Sequence, residues 1–191
     1  MTKVFIFHGA HGNPMRNWFP WLKEELEKMG CEVFTPIFPT PEGQSLGAWL
    51  EAFKPFEQYL DENTTFVGHS LGANFILNLL ERLDKKIKAA FLVSGFVSAV
   101  HDPSNKFNII NKSFYDKDFN WNKIKENSGY IYIINSDNDP YVTIELAEEI
   151  SRPLGVTLTV IEKAGHFNEE SGYKQFPALL DMIEEVITAS Q

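Results

Sequence analysis

The residues best placed to do chemistry stand in Gly68-His69-Ser70-Leu71-Gly72, a G-x-S-x-G pattern that closes one β-rich run and opens the helical pattern Ala73-Asn74-Phe75-Ile76-Leu77. In a strand-to-helix turn this tight, neighbouring backbone leaves no room for side chains at the two glycines, and the serine is held with its hydroxyl exposed. A serine hydroxyl is a weak nucleophile. It needs a general base, and the base needs a carboxylate to orient it and stabilise its protonated form. The chain supplies both downstream: Ser136-Asp137-Asn138-Asp139-Pro140-Tyr141-Val142, then Lys163-Ala164-Gly165-His166-Phe167. His166 is the only histidine after residue 101, so it is the candidate base. Asp137 and Asp139 compete as the acid; Asp139 is chosen because Pro140 stiffens the turn after it and Val142 anchors the next stretch of chain. The order serine, acid, histidine suits acyl transfer on an α/β sheet.

A tetrahedral intermediate also needs two N–H groups aimed at its oxygen. Leu71, the residue after the serine, is one candidate donor. The loop His8-Gly9-Ala10-His11-Gly12 offers the other, with Ala10 first and His11 as the alternative. His8 and His11 have no downstream partners at metal-ligand spacing, so no metal site is expected, and no cofactor is required. His69 reads as a packed residue orienting the elbow, and Cys31 as a small buried apolar side chain.

These residues need elements to position them. Runs rich in β-branched and aromatic residues recur at Lys3–His8, Glu32–Pro36, Thr64–His69, Ala89–Ser94, Tyr130–Asn135 and Thr157–Glu162, with helical spacing between them. Several are apolar without alternation, as strands covered on both faces are. The fold class is therefore α/β, a parallel sheet of about six strands with helices on both faces and no separate lid domain. Trp18–Met29, Leu71–Leu83 and Ile144–Ile150 are predicted helices, the first ended by Gly30. Ser70, the Asp137/Asp139 pair and His166 all fall just past strand C-terminal ends, the edge where open parallel sheets build their sites.

The segment from Phe96 to Gly129 reads as a long connection, and such loops in compact domains usually serve a function. With Phe96, Phe107, Phe114, Tyr115, Phe119 and Trp121 it is expected to line or cover an acyl pocket, for which His11, Phe96, Phe114 and Phe119 are the named candidates; ordinary packing on the sheet is the other reading. The chain has 16 Phe and is 14% aromatic, an excess that this insert and the core must share.

Composition bounds the rest. At 191 residues the chain suits one domain, residues 1–191, with a core that needs no metal or disulfide. Seventeen Lys and Arg against 26 Asp and Glu give a net charge of −9, which repels phosphate backbones and argues against nucleic-acid binding. A single Cys excludes an internal disulfide framework and suits a reducing, cytoplasmic setting. No apolar run reaches the roughly 18 residues of a membrane span, and the N-terminal M-T-K-V-F-I-F lacks a basic leader, so neither insertion nor export is expected. A protein partner is left open.

Taken together, the opening strand with His8-Gly9, the segment Asn17-Trp18-Phe19-Pro20-Trp21-Leu22, the elbow, Leu92-Val93-Ser94-Gly95-Phe96, Asp139-Pro140 and Gly165-His166-Phe167 mark a resemblance running nearly end to end. The chain resembles the small serine hydrolases typified by retinoblastoma-binding protein nine and the bacterial YdeN-like proteins. The resemblance implies a compact α/β-hydrolase core with Ser70, Asp139 and His166 as the triad, and it favours Asp139 over Asp137. Where that family has a second acidic residue before the catalytic one, this chain has Asn138. The expected activity is hydrolysis of small ester or thioester bonds on a small acyl substrate; a hydrolase-shaped binding module with little turnover is the alternative.

Overall fold

A computed structural model describes residues 1–189. Six parallel strands, β1 (Lys3–Phe7), β2 (Glu32–Phe34), β3 (Thr64–His69), β4 (Ala89–Val93), β5 (Tyr130–Ser136) and β6 (Leu158–Ile161), form one sheet in the order 2-1-3-4-5-6. Seven α-helices cover it: α1 (Phe19–Lys28), α2 (Leu46–Phe53), α3 (Leu71–Leu80), α4 (Lys106–Tyr115), α5 (Trp121–Asn127), α6 (Ile144–Leu154) and α7 (Pro177–Thr188). Every residue of β3 and β4 is buried, which is why these strands carry no polar alternation.

The period of two along each strand sorts the core into two layers. Val4, Ile6, Val67, Phe91 and Val93 point to the face covered by α1 and α7. Phe5, Phe7, Phe66, Ala90 and Leu92 point to the other, where α2 to α6 pack. That second face holds most of the aromatic excess. Trp49 of α2 stacks on Phe38 at 4.5 Å and meets Phe114 edge-on at 5.1 Å, while Phe75 touches Phe7, Phe38 and Trp49. Rings packed in such offset and edge-on pairs hold this layer by burial and by the quadrupole preference of aromatic contacts.

The segment after β4 differs from its reading as a loop. It contains α4 and α5, and buried carboxamides fasten it to α3: Asn74 Nδ2 donates to Phe96 O at 2.9 Å, Asn78 Nδ2 to Phe114 O at 3.0 Å and Asn127 Nδ2 to Leu80 O at 2.7 Å. Low hydrophobicity hid these helices, because their asparagines serve as buried donors rather than as solvated loop residues. The insert is a packed layer of the domain.

Strand order reverses beside β1: β2 lies on one side and β3 on the other. The loops leaving β1 and β3 therefore diverge at a topological switch point, where open α/β sheets form a crevice. The register sets Phe7 opposite Gly68, which brings the His8–Gly12 loop alongside the elbow.

Candidate active site

Ser70 sits at φ 55°, ψ −120° between β3 and α3, a conformation that a side-chain-bearing residue adopts only when its surroundings impose it. Its N–H donates to Val93 O at 2.8 Å, and its carbonyl accepts from Ala73 N at 3.0 Å. The flanking glycines let the backbones close. A Cβ on Gly68 would lie 2.6 Å from Gly72 O, and one on Gly72 would lie 2.4 Å from Phe7 O. Both positions must lack a side chain for α3 to start against β1.

The β1 loop reaches the serine directly, since a Cβ on Gly9 would come 3.1 Å from Ser70 Cβ. Gly9 O accepts two bonds, from His8 Nδ1–H at 2.8 Å and from Gly12 N at 3.2 Å. Because a trans peptide sets its N–H opposite its carbonyl, the Ala10 N–H is turned away from both of those donors. The Ala10 and Leu71 N–H groups donate to no protein acceptor among the described residues. His11, the alternative donor, is engaged elsewhere: its N–H bonds Thr40 Oγ1 at 2.7 Å. His8 Nε2 accepts the Phe38 N–H at 3.1 Å, and burial holds its pKa below the usual histidine value. Both ring nitrogens are thus engaged with the backbone, which leaves neither for a metal.

On the far side of the serine, Asp139 is fully satisfied. Its Oδ1 accepts the Tyr141 and Val142 N–H groups at 2.9 and 3.0 Å, and its Oδ2 lies 2.8 Å from both His166 Nδ1 and Ser94 Oγ. Burial raises the carboxyl's pKa, but the His166 contact and the two amides outweigh that and hold it below the usual carboxylate range. Asp137 has another task. Its Oδ1 accepts Lys163 N–H at 2.7 Å, while Asn138 Oδ1 accepts Gly165 N–H at 2.8 Å and Ser136 Oγ accepts Ala164 N–H at 2.9 Å. Three successive residues, the last of β5 and the two that follow it, thus pin the chain leading to His166, and Asn138 serves there as a neutral acceptor.

His166 is also held from behind. His69 Nε2–H donates to His166 O at 2.7 Å, and Trp18 Nε1–H to Phe167 O at 3.0 Å. Burial, with repulsion from His166 next, pushes the His69 pKa down to about 3, so this ring is a neutral donor. Asn17 and Glu169 exchange bonds, Asn17 N to Glu169 Oε1 at 2.9 Å and Glu169 N to Asn17 Oδ1 at 3.1 Å. The N-terminal edge of α1 is thereby latched to the histidine loop.

Ser70 and His166 open onto one cavity of about 400 Å³, a size suited to a small ligand. Of the four pocket candidates, His11 and Phe96 line it. Phe114 and Phe119 do not: Phe114 is buried against Trp49 in the core, and Phe119 lies beside Trp121 under the Lys117 ammonium. Phe114 and Phe107 share one face of α4 about two turns apart; Phe114, near the C-terminal end, is buried in the core, and Phe107, in the first turn, lines the cavity with Val100, Tyr141 and Val142. The sequence reading assigns no site role to Ser94, Asn17, Trp18, Glu169 or Tyr141. Asn17, Trp18 and Ser94 stand in segments that carry the resemblance, and Ser94 has a further signal, a hydroxyl followed by Gly at the C-terminal end of a strand on the site's edge.

A parallel sheet of this order with a strained serine at the elbow after its third strand defines an α/β hydrolase. The family model described as serine hydrolase matches residues 4–185, and the chain belongs to that family of enzymes. Over 186 residues it is 31% identical to YdeN of Bacillus subtilis (strain 168), spanning 96% of this chain and 95% of that one. It is 26% identical over 190 residues to the serine hydrolase RBBP9 of Rattus norvegicus, spanning 98% and 96%. The crystal structure of the B. subtilis ydeN gene product superposes with a TM-score of 0.90 at 28% identity, over 98% of this chain and 100% of that one.

Proposed function

We propose that this hydrolase cleaves small carboxylic esters or thioesters through an acyl-enzyme, with Ser70 as nucleophile, His166 as general base and acid, and Asp139 as the carboxylate that orients the imidazole. The observation that carries the reading is the Asp139 Oδ2 to His166 Nδ1 contact at 2.8 Å beside Ser70 on one cavity. With Nδ1–H directed at Asp139, Nε2 is left as the acceptor for the serine proton. Ser70 Oγ bonds the carbonyl carbon, the ester C–O bond breaks, and His166 returns the proton to the departing oxygen. Water then repeats the sequence and releases the acid. No hydrogen bond joins Ser70 to His166 among the described residues; in free enzymes this contact is often long and tightens with substrate.

The oxyanion donors in this reading are the Leu71 and Ala10 N–H groups. Both lack other acceptors among the described residues, and the N-terminal end of α3 adds a favourable dipole. The reactants are small acyl compounds, and the chemistry needs no metal or cofactor. A fluorophosphonate probe and short p-nitrophenyl esters test it: labelling and turnover are expected for the native chain and lost in Ser70→Ala. Equal labelling of both, or tight ligand binding without turnover, sinks the reading and leaves a binding module.

A further inference from the structure

The cavity beside Ser70 has two unlike walls. One is mostly apolar, built by Phe96, Val100, Pro103 and Phe107 from the segment after β4 and by Val142; His101 and Asp102 also stand on it, with the Asp102 carboxylate taken up by Ser104 and by the Phe107 N–H. The other is polar, walled by Arg16 and Asn17 from the loop after β1 and by Asn168, Glu169 and Glu170 just past His166. In acyl transfer the acyl group stays on the serine, whereas the leaving atom must come within hydrogen-bond reach of the histidine that protonates it. The leaving group therefore departs along the wall built by His166's own loop, and the acyl group lies against the apolar wall.

Charge on the polar wall is unbalanced. Arg16 is turned to Glu169, Nη2 to Oε2 at 3.9 Å, and the other Glu169 oxygen accepts Asn17 N–H. Glu170 is exposed; among the described residues the one bond its side chain accepts is long, from Asn168 Nδ2 at 3.4 Å, and no cation pairs with its carboxylate. The chain's net charge of −9 adds a field of the same sign.

We propose that the site selects a compact apolar acyl group joined to a cationic or uncharged polar alcohol or amine, and selects against anionic leaving groups, phosphate-bearing acyl carriers included. Glu170 is the specificity-determining residue, and the cavity volume of about 400 Å³ limits both halves to small groups. The proposal rests on the acyl-enzyme reading above.

Three butyrate esters sharing one acyl group test it, made with choline, with its uncharged carbon isostere and with glycolate. The expected order of kcat/KM is cationic, neutral, anionic, at about fivefold or less per step for an exposed charge. The spread shrinks in about 1 M salt, shrinks in Glu170→Gln and inverts in Glu170→Lys. Ser70-dependent turnover with no order, or with the opposite order, overturns the specificity assignment and leaves the hydrolase reading standing. Absence of Ser70-dependent turnover together with absence of fluorophosphonate labelling overturns both.

Discussion

Ser94 Oγ donates to Asp139 Oδ2, the same oxygen that faces His166 Nδ1, each at 2.8 Å. Ser94 lies at φ 49° directly after β4, with its N–H bonded to Ile134 O, so the strand end itself aims the hydroxyl. A hydrogen bond to a buried carboxylate is among the stronger kinds. In Ser94→Ala, kcat is expected to fall about tenfold with KM little changed. Asp139 then protonates at higher pH, so activity on the acid side is lost at a higher pH than in the native chain; a pH–rate profile checks this.

The two candidate acids separate cleanly by substitution. Asp139→Asn is expected to lower kcat by about 10³- to 10⁴-fold, as loss of the orienting carboxylate does in serine hydrolases of this type. Asp137→Asn removes only charge from an acceptor of the Lys163 N–H, and kcat should stay within about twofold of native. Steady-state kinetics on a p-nitrophenyl ester distinguish them.

His69 links the site to folding through pH. Its folded pKa of about 3 lies below the ordinary histidine value of 6.5, so the unfolded chain binds the proton first as pH falls. Its contribution is therefore fully present above pH 6.5 and is lost progressively down to about pH 3, with a slope approaching about 1.4 kcal/mol per pH unit. In His69→Gln that slope should flatten. Urea midpoints measured across this range report it.

Phe114 and Phe107 stand on one helix with different tasks. Phe114→Ala should cost about 3–5 kcal/mol of stability and leave acyl-length preference unchanged, because the ring is fully buried against Trp49. Phe107→Ala should cost little stability and shift preference toward longer acyl groups. Thermal melts and an acyl-length series, run on both variants, decide it.

The Asn17–Glu169 latch predicts non-additive kinetics. Asn17→Ala and Glu169→Ala each disrupt the reciprocal pair, so the double variant should lose less kcat than the two single losses combined, with a coupling of about 1 kcal/mol. Glu169→Gln keeps both its acceptor oxygen and its backbone N–H and should recover most of the rate.

The elbow, the six strands, the chain order of Ser70, Asp139 and His166, and the nearness of the β1 loop to the serine were all legible in the amino-acid sequence. They depend on local rules: periodicity along a strand, glycine where backbones must touch, and polar residues just past strand ends. Beyond those rules lay contacts between residues far apart in the chain. The sequence alone does not show that Ser94 reaches Asp139 across 45 positions or that Asn17 meets Glu169 across 152. Nor does it show that Thr40 takes the His11 N–H or that, of two rings on one face of α4, Phe107 reaches the cavity and Phe114 the core. Strand order and helix packing set those distances. Residue type and order therefore determined the chemical groups on offer, whereas the tertiary structure decided which of them hold the histidine in place and which walls the cavity presents.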